Sequence, residues 1–179
     1  LNSNIGSVIN WFADSGNMLV KMISNNRKSL IDTNQIVPDG PTISTNFGEK
    51  AQNRTYQDLL KNKFDEHNFE QLSTSAIFKV SIDGSVKKWM DDGMYRTISF
   101  SPNGEYVMIS QINKPFSYLV TYSRFPTETN VYSKDGNFIS NLLNVPLIEE
   151  LPKGFMSART GKRSFSWRPD KGASLTYVT

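Results

Sequence analysis

Apolar residues along most of this chain come in short alternating or compact runs separated by turn residues, a pattern that predicts β-strands. Three segments share one plan: SVINWFADSGNMLVKMI (7 to 23), YRTISFSPNGEYVMISQI (95 to 112) and RSFSWRPDKGASLTYVT (163 to 179). Each carries an aromatic residue (Trp11, Phe100, Trp167), then Asp or Asn near a Gly (Asp14, Asn103, Asp170), then a second apolar run. That order predicts strand, tight turn, strand. Two more hairpins are predicted where Asp83-Gly84 and Asp135-Gly136 interrupt alternating runs.

A recurring hairpin with an aromatic residue before the turn suits the blades of a β-propeller. The aromatic positions lie 89 and 67 residues apart, more than the blade period of about 40 to 50 residues. The blades therefore carry insertions, or one blade has a degenerate motif. The expected fold is all-β, a partial propeller of antiparallel blades, with a loop-plus-helix insertion at residues 24–72. Residues 24–53 are polar and turn at Pro38-Asp39-Gly40-Pro41. Within RTYQDLLKNKFDEHNFEQL, Tyr56, Leu59, Leu60, Phe64 and Phe69 recur at helical spacing. One helix is expected near 55–72, with Thr55 and Asp58 as an N-cap pattern and Asn62 or Asn68 as a point of breakage.

The 179 residues allow one domain with a core or part of a larger one. Twenty basic residues stand against 17 acidic ones, giving +3, and the basic residues are spread out rather than gathered on one stretch. No nucleic-acid partner is expected from that distribution. The absence of cysteine excludes disulfides, zinc–thiolate sites and a thiol nucleophile. No apolar run reaches the roughly 18 residues of a membrane span. The chain starts without Met and stops on an apparent strand, so a fragment of a longer protein is expected.

Candidate chemistry is sparse. The single histidine, His67, follows Asp65 and Glu66, but it lacks partners at metal-ligand spacing and reads as a solvated helix face. No G-x-S-x-G elbow is present. The Asp-rich turns lack the spacing of a calcium loop, and Gly161-Lys162-Arg163-Ser164 lacks the upstream glycine of a phosphate loop. Asn53-Arg54-Thr55 is formally a glycosylation acceptor. No catalytic residue, metal or cofactor is expected. Arg159 and Arg163, with Arg124 in YSRFP, could grip a carboxylate bidentately, although exposure or pairing with the chain's own acids is the common fate of such residues.

The blocks RTYQDLLKN, KPFSY with SRFP, and RTGKRSFSWRPDK, together with VPDGPTI and GEKAQNRTY, resemble the N-terminal β-propeller of serine peptidases in the prolyl oligopeptidase family. The branch they resemble is the glutamyl endopeptidase-like one, found in plastids and bacteria. The resemblance covers about residues 9 to 179. It implies a hydrolase in which the propeller caps a C-terminal α/β-hydrolase domain that carries the Ser-Asp-His triad. Residues 1–179 would then be an internal propeller segment of about two to three blades, non-catalytic, gating and positioning peptides for a domain absent from this chain. The implied partners are a peptide substrate and that hydrolase domain. A bacterial periplasm or envelope is the implied location.

Preference for Glu needs a cation near the cleft, and Arg124, Arg159 and Arg163 are the candidates, with Lys114 a fourth. The sequence departs from the family at Phe12-Ala13-Asp14-Ser15, where Ser-Pro-Asp-Gly is usual, and at Phe69 to Ser73, where an aromatic-rich run is usual. A truncated propeller has open strand edges, so the fragment is expected to self-associate. The alternative is a stand-alone, propeller-like module that binds peptides or proteins. A hydrolase using His67 itself is a third reading, and it lacks a nucleophile partner.

Overall fold

A computed structural model describes residues 1–32, 35, 48, 56–150 and 157–179. Among these residues nine strands and one α-helix form, in the order β1 (Ile9–Trp11), β2 (Asn17–Ile23), α1 (Lys63–Ser73), β3 (Ser75–Ser81), β4 (Val86–Phe100), β5 (Tyr106–Ile112), β6 (Thr127–Ser133), β7 (Phe138–Val145), β8 (Arg163–Trp167) and β9 (Leu175–Val178). Strands β1 to β7 make one antiparallel sheet in sequence order, and β8 pairs with β9. All five predicted hairpins form. The described residues do not close into a ring.

The three aromatic-turn segments fold alike. Their turns close through Phe12 N–H to Asn17 O, Ser101 N–H to Tyr106 O and Arg168 N–H to Ser174 O, at 3.0, 2.9 and 2.8 Å. The acidic or amide residue of each turn is used locally, as expected of Asx chemistry. Asp14 accepts the N–H groups of Gly16 and Asn17, Asn103 accepts that of Glu105, and Asp170 pairs with Arg168. The bonds from Asn17 and Gly16 hold the Asp14 carboxyl below its usual pKa.

Strand β4 changes partners halfway. Its first part pairs with β3 as far as Gly93, and from Met94 onward it pairs with β5. The sheet is thus two four-stranded meanders joined by one long strand. A β-carbon at Gly93 would lie 2.8 Å from the Tyr95 ring, so this crossing accepts no side chain unless Tyr95 moves. Tyr95 donates its hydroxyl to Asp91 O at 2.6 Å, which fixes the bend from both sides.

One core lies between the two meanders. Phe12, Leu19 and Ile77 of the first meet Tyr95, Val107 and Ile109 of the second, and the rings of Phe12 and Phe100 are 4.6 Å apart. Lys21, also on the first meander, is buried there and donates to the carbonyls of Ile5 and Tyr95. Burial holds its pKa below the ordinary lysine value. The third hairpin sits on the second meander in the same sense, through Trp167 Nε1 to Ser99 O (3.2 Å) and Asn103 N–H to Gly172 O (3.0 Å).

The helix differs from its prediction. It spans Lys63–Ser73, not 55–72, because Asn62 caps it by accepting the N–H groups of Phe64 and Asp65. Asn62 is therefore its start rather than a break. Asp58 has φ +56°, a left-handed conformation that a helix cannot contain, so Tyr56 to Lys61 run outside it. Thr55, the proposed cap, lies outside the described residues. Asn68 does not interrupt the helix either. Its amide points away, accepting the Ile31 N–H and donating to the Ile31 carbonyl, both at 2.8 Å.

Candidate functional site

The connection from β5 to β6 runs over the end of the second meander and carries Arg124. It is held from beneath by a core of Ile5, Met94, Ile112, Phe116, Val120 and Phe125, against which Tyr56, Leu60, Phe69 and Leu147 pack. Phe69 on α1 meets Phe116 and Phe125 edge to face, with centroids 5.1 and 5.7 Å away. Arg124 ends a single 3-10 turn, Tyr122–Arg124, whose backbone is fixed by Arg124 N–H to Thr121 O (2.9 Å) and Ile148 N–H to Arg124 O (3.1 Å). The next residue, Phe125, is 2 % exposed and anchors the turn in the core.

The Arg124 guanidinium lies over the Tyr56 ring, 5.2 Å from its centroid. Its Nη1 is buried without a hydrogen-bond partner, and so is the Tyr56 hydroxyl. A buried, unfilled donor is uncommon and costs about 1–3 kcal/mol. A guanidinium is a planar fork of donors, the geometry that a carboxylate accepts. The corner therefore holds a half-buried cation on an aromatic face with one buried donor unfilled.

The other cations are placed differently. Lys114 is held by Glu70 of α1 at 2.8 Å and lies 5.8 Å from the Phe116 ring centroid. It borders an open groove of about 420 Å³ that also contains Asn113, Glu128 and Asn144 between Pro126 and Pro146. Both signs of charge are present in that groove, so its field selects neither. Arg159 turns onto its own loop, donating to Thr160 O at 3.0 Å and to Lys162 O. Arg163 is the first residue of β8, opposite Val178. Arg124 thus stands on a different element from Arg159 and Arg163, and among the described residues no hydrogen bond or ion pair joins them.

His67 has a structural use. Its Nε2 is 3.0 Å from the Ser29 carbonyl and donates to it. With Asn68 on Ile31 and Gln71 accepting the Lys28 N–H at 2.7 Å, it ties an extended strap to the polar face of α1. Among the described residues no three His, Cys, Asp or Glu side chains gather to hold a metal. No described helix is long and apolar enough to cross a membrane. Sequence reasoning named Arg124 but not Tyr56 as its partner, nor Glu70 as the partner of Lys114. Both pairs are remote in sequence, and no local pattern announces them.

Among the described residues these features define a predominantly antiparallel β-protein with one α-helix. No protein-family model matches the chain, and no solved structure matches it. Two curated relatives do. "Probable glutamyl endopeptidase, chloroplastic" of Oryza sativa subsp. japonica is 43 % identical over 143 residues, covering 79 % of this chain and 15 % of the rice protein. The protein of the same name from Arabidopsis thaliana is 34 % identical over 163 residues, covering 90 % of this chain and 17 % of the relative. The chain is related in sequence to peptidases and spans about a sixth of the length of the curated relatives it matches. Both are plant proteins, so the bacterial source and envelope location expected from the sequence draw no support from them.

Proposed function

We propose that this chain is a non-catalytic β-propeller portion of a serine peptidase of the prolyl oligopeptidase family, one that cleaves after Glu. Its role is to admit peptides and position them for a hydrolase domain outside residues 1–179. Relatedness to proteins named glutamyl endopeptidase supports the peptidase class. Two four-stranded meanders sharing β4, with a third hairpin stacked in the same sense, support the propeller. A propeller over a hydrolase mouth would filter folded proteins from unstructured peptides by size.

The observation that carries the Glu assignment is Arg124, half-buried on Tyr56 with Nη1 unfilled. A substrate Glu carboxylate would pair with the half-buried guanidinium, and Gln would do so without the charge. Arg159 is occupied by its own loop, and Arg163 is a secondary candidate. The test is cleavage of matched peptides with Glu or Gln before the scissile bond by the full-length protein and its Arg124→Gln variant. A charge-assisted bond of about 1.5–3 kcal/mol predicts a roughly 10- to 150-fold loss of Glu over Gln preference, with turnover of the Gln peptide kept. An unchanged preference overturns the assignment of Arg124.

A further inference from the structure

At one end of the second meander, side-chain oxygens gather around a carboxylate that has no cation. Asn113 follows β5, Glu128 lies in β6 and Asn144 in β7, and all three line the groove of about 420 Å³. Antiparallel register sets Glu128 opposite both Gln111 and Asn144. Two amides bridge these oxygens. Gln111 Nε2 donates to Asn113 Oδ1 at 3.4 Å and to Glu128 Oε2 at 3.5 Å, while Asn141 Nδ2 donates to Asn144 Oδ1 at 3.0 Å and to Glu128 Oε1 at 3.4 Å. Both bonds to Glu128 are longer than the roughly 2.7–3.2 Å of an ordinary N–H···O bond. Glu128 is half-buried, and among the described residues no lysine, arginine or histidine forms an ion pair with it.

At long range the groove favours neither sign, but at contact its two charges are not equivalent. Lys114 is engaged by Glu70 at 2.8 Å, which neutralises it. Glu128 meets only neutral amides, so within a few ångströms its charge decides. An ammonium, with three donors and no acceptor, complements a carboxylate beside amide oxygens. Calcium takes about six to eight oxygen ligands, more than one carboxylate and two amides supply. Pro126, Val145 and Pro146 add apolar walls on which the methylene stem of a lysine can lie. The volume is near the low end of the roughly 300–1,000 Å³ of small-ligand sites, which suits one side chain with its peptide unit.

We propose that this groove binds an ammonium group of a peptide, a lysine side chain or a free amino terminus, with Glu128 as counter-ion and Asn113 and Asn144 as neutral acceptors. It differs from the Arg124 corner in charge but stands on the same two segments. Thr127 is registered with Val145, and the Arg124 carbonyl accepts the Ile148 N–H at 3.1 Å. A peptide with a carboxylate and an ammonium a few residues apart therefore meets the opposite charge at each. That the ammonium belongs to a peptide rests on the proposed function, whereas the preference for an ammonium rests on the groove alone.

The test is isothermal titration of the full-length protein at about pH 7 with three probes that contain no Glu: Nα-acetyl-lysine methylamide, alanine methylamide with its amino group free, and Nα,Nε-diacetyl-lysine methylamide. At least one of the first two should bind about tenfold or more tightly than the diacetylated probe, and which one does so identifies the source of the ammonium. Glu128→Gln should remove that advantage, and Arg124→Gln should leave it. Asn144→Asp, which sets a second carboxylate opposite Glu128, should increase it. Equal affinity for charged and acetylated probes, no binding of any probe, or an advantage that survives Glu128→Gln overturns the proposal. Glu preference is read separately by cleavage, so the failure of either assignment leaves the other standing.

Discussion

Replacing Phe69 with Ala removes the ring through which α1 grips the turn that carries Arg124. Phe69 is half-buried and meets Phe116 at 5.1 Å and 85°, Phe125 at 5.7 Å and 89°, and Tyr122 at 6.4 Å. A fully buried Phe→Ala change costs about 3–5 kcal/mol, and partial exposure scales that down to roughly 2–3 kcal/mol. Edge-to-face pairs add about 0.5–1.5 kcal/mol each beyond area, part of which Phe116 and Phe125 regain by packing on each other at 5.3 Å. The expected loss is about 3 kcal/mol for Phe69→Ala. For Phe69→Leu, which keeps most of the volume and loses the ring edges, it is about 1–2 kcal/mol.

The assay is urea unfolding followed by far-UV circular dichroism, with unchanged slope required of each variant. At slopes of about 2–3 kcal/mol/M, Phe69→Ala should lower the midpoint by about 1–1.5 M. Amide exchange should quicken first at Tyr122 to Phe125, where the ring is the support from below. A Phe69→Ala midpoint within about 0.2 M of the parent would refute the view that the helix holds this turn. Equal losses for Ala and Leu would refute the part assigned to the ring edges.

Asn62→Ala should destabilise by about 1 kcal/mol through loss of the cap to Phe64 and Asp65, while Asn62→Asp keeps it, both read from urea midpoints. Burial first, then the charges of Tyr132, Asp91 and Asp92, raises the Tyr95 pKa. The unfolded phenol ionises near 10, so above about pH 10 the unfolded state binds fewer protons and stability falls by up to about 1.4 kcal/mol per pH unit. Tyr95→Phe should flatten that alkaline limb, at a cost of about 1 kcal/mol at pH 7 from the lost bond to Asp91. Lys21 acts in the opposite direction, because its lowered pKa makes stability rise with pH up to about 10.5, and Lys21→Met should abolish that rise.

The hairpins were legible because their determinants are local. Asp83-Gly84 and Asp135-Gly136 specify tight turns whatever surrounds them, and Gly84 and Gly136 adopt φ of +89° and +91° there. The helix was legible only in part. Tyr56 and Leu60 do face the same core as Phe69, so the apolar pattern was a true sign of burial. It was not a sign of helix, since the left-handed Asp58 and the Asn62 cap divide the run. The burial of Lys21 had no signal at all: a lysine between Val20 and Met22 reads as an outward residue, and it is covered by the N-terminal segment at Ile5 and by the second meander at Tyr95. Arg124 could be named from its residue type, whereas its place on Tyr56 depends on a contact across 68 residues.

The helix accounts for the most expensive feature of the site. An arginine with a buried unfilled N–H is retained only where the surrounding structure overdetermines its position. Left to itself, the connection between β5 and β6 would swing the guanidinium into water. Four independent ties prevent this: Phe69 under Phe116 and Phe125, Glu70 on Lys114, Ile148 on the Arg124 carbonyl, and Tyr56 beneath the guanidinium. Two of the four come from α1 itself, and the C-terminal end of that helix is fixed in turn, with Asn2 and Asn4 closing on the Leu72 carbonyl. The polar face then holds the strap through His67, Asn68 and Gln71, so no side of the helix is free to shift. A charged, amphipathic helix in an otherwise β chain is thus a bracket between the first residues and the Arg124 turn. Its histidine serves that bracket, and the turn it supports is the one that carries Arg124.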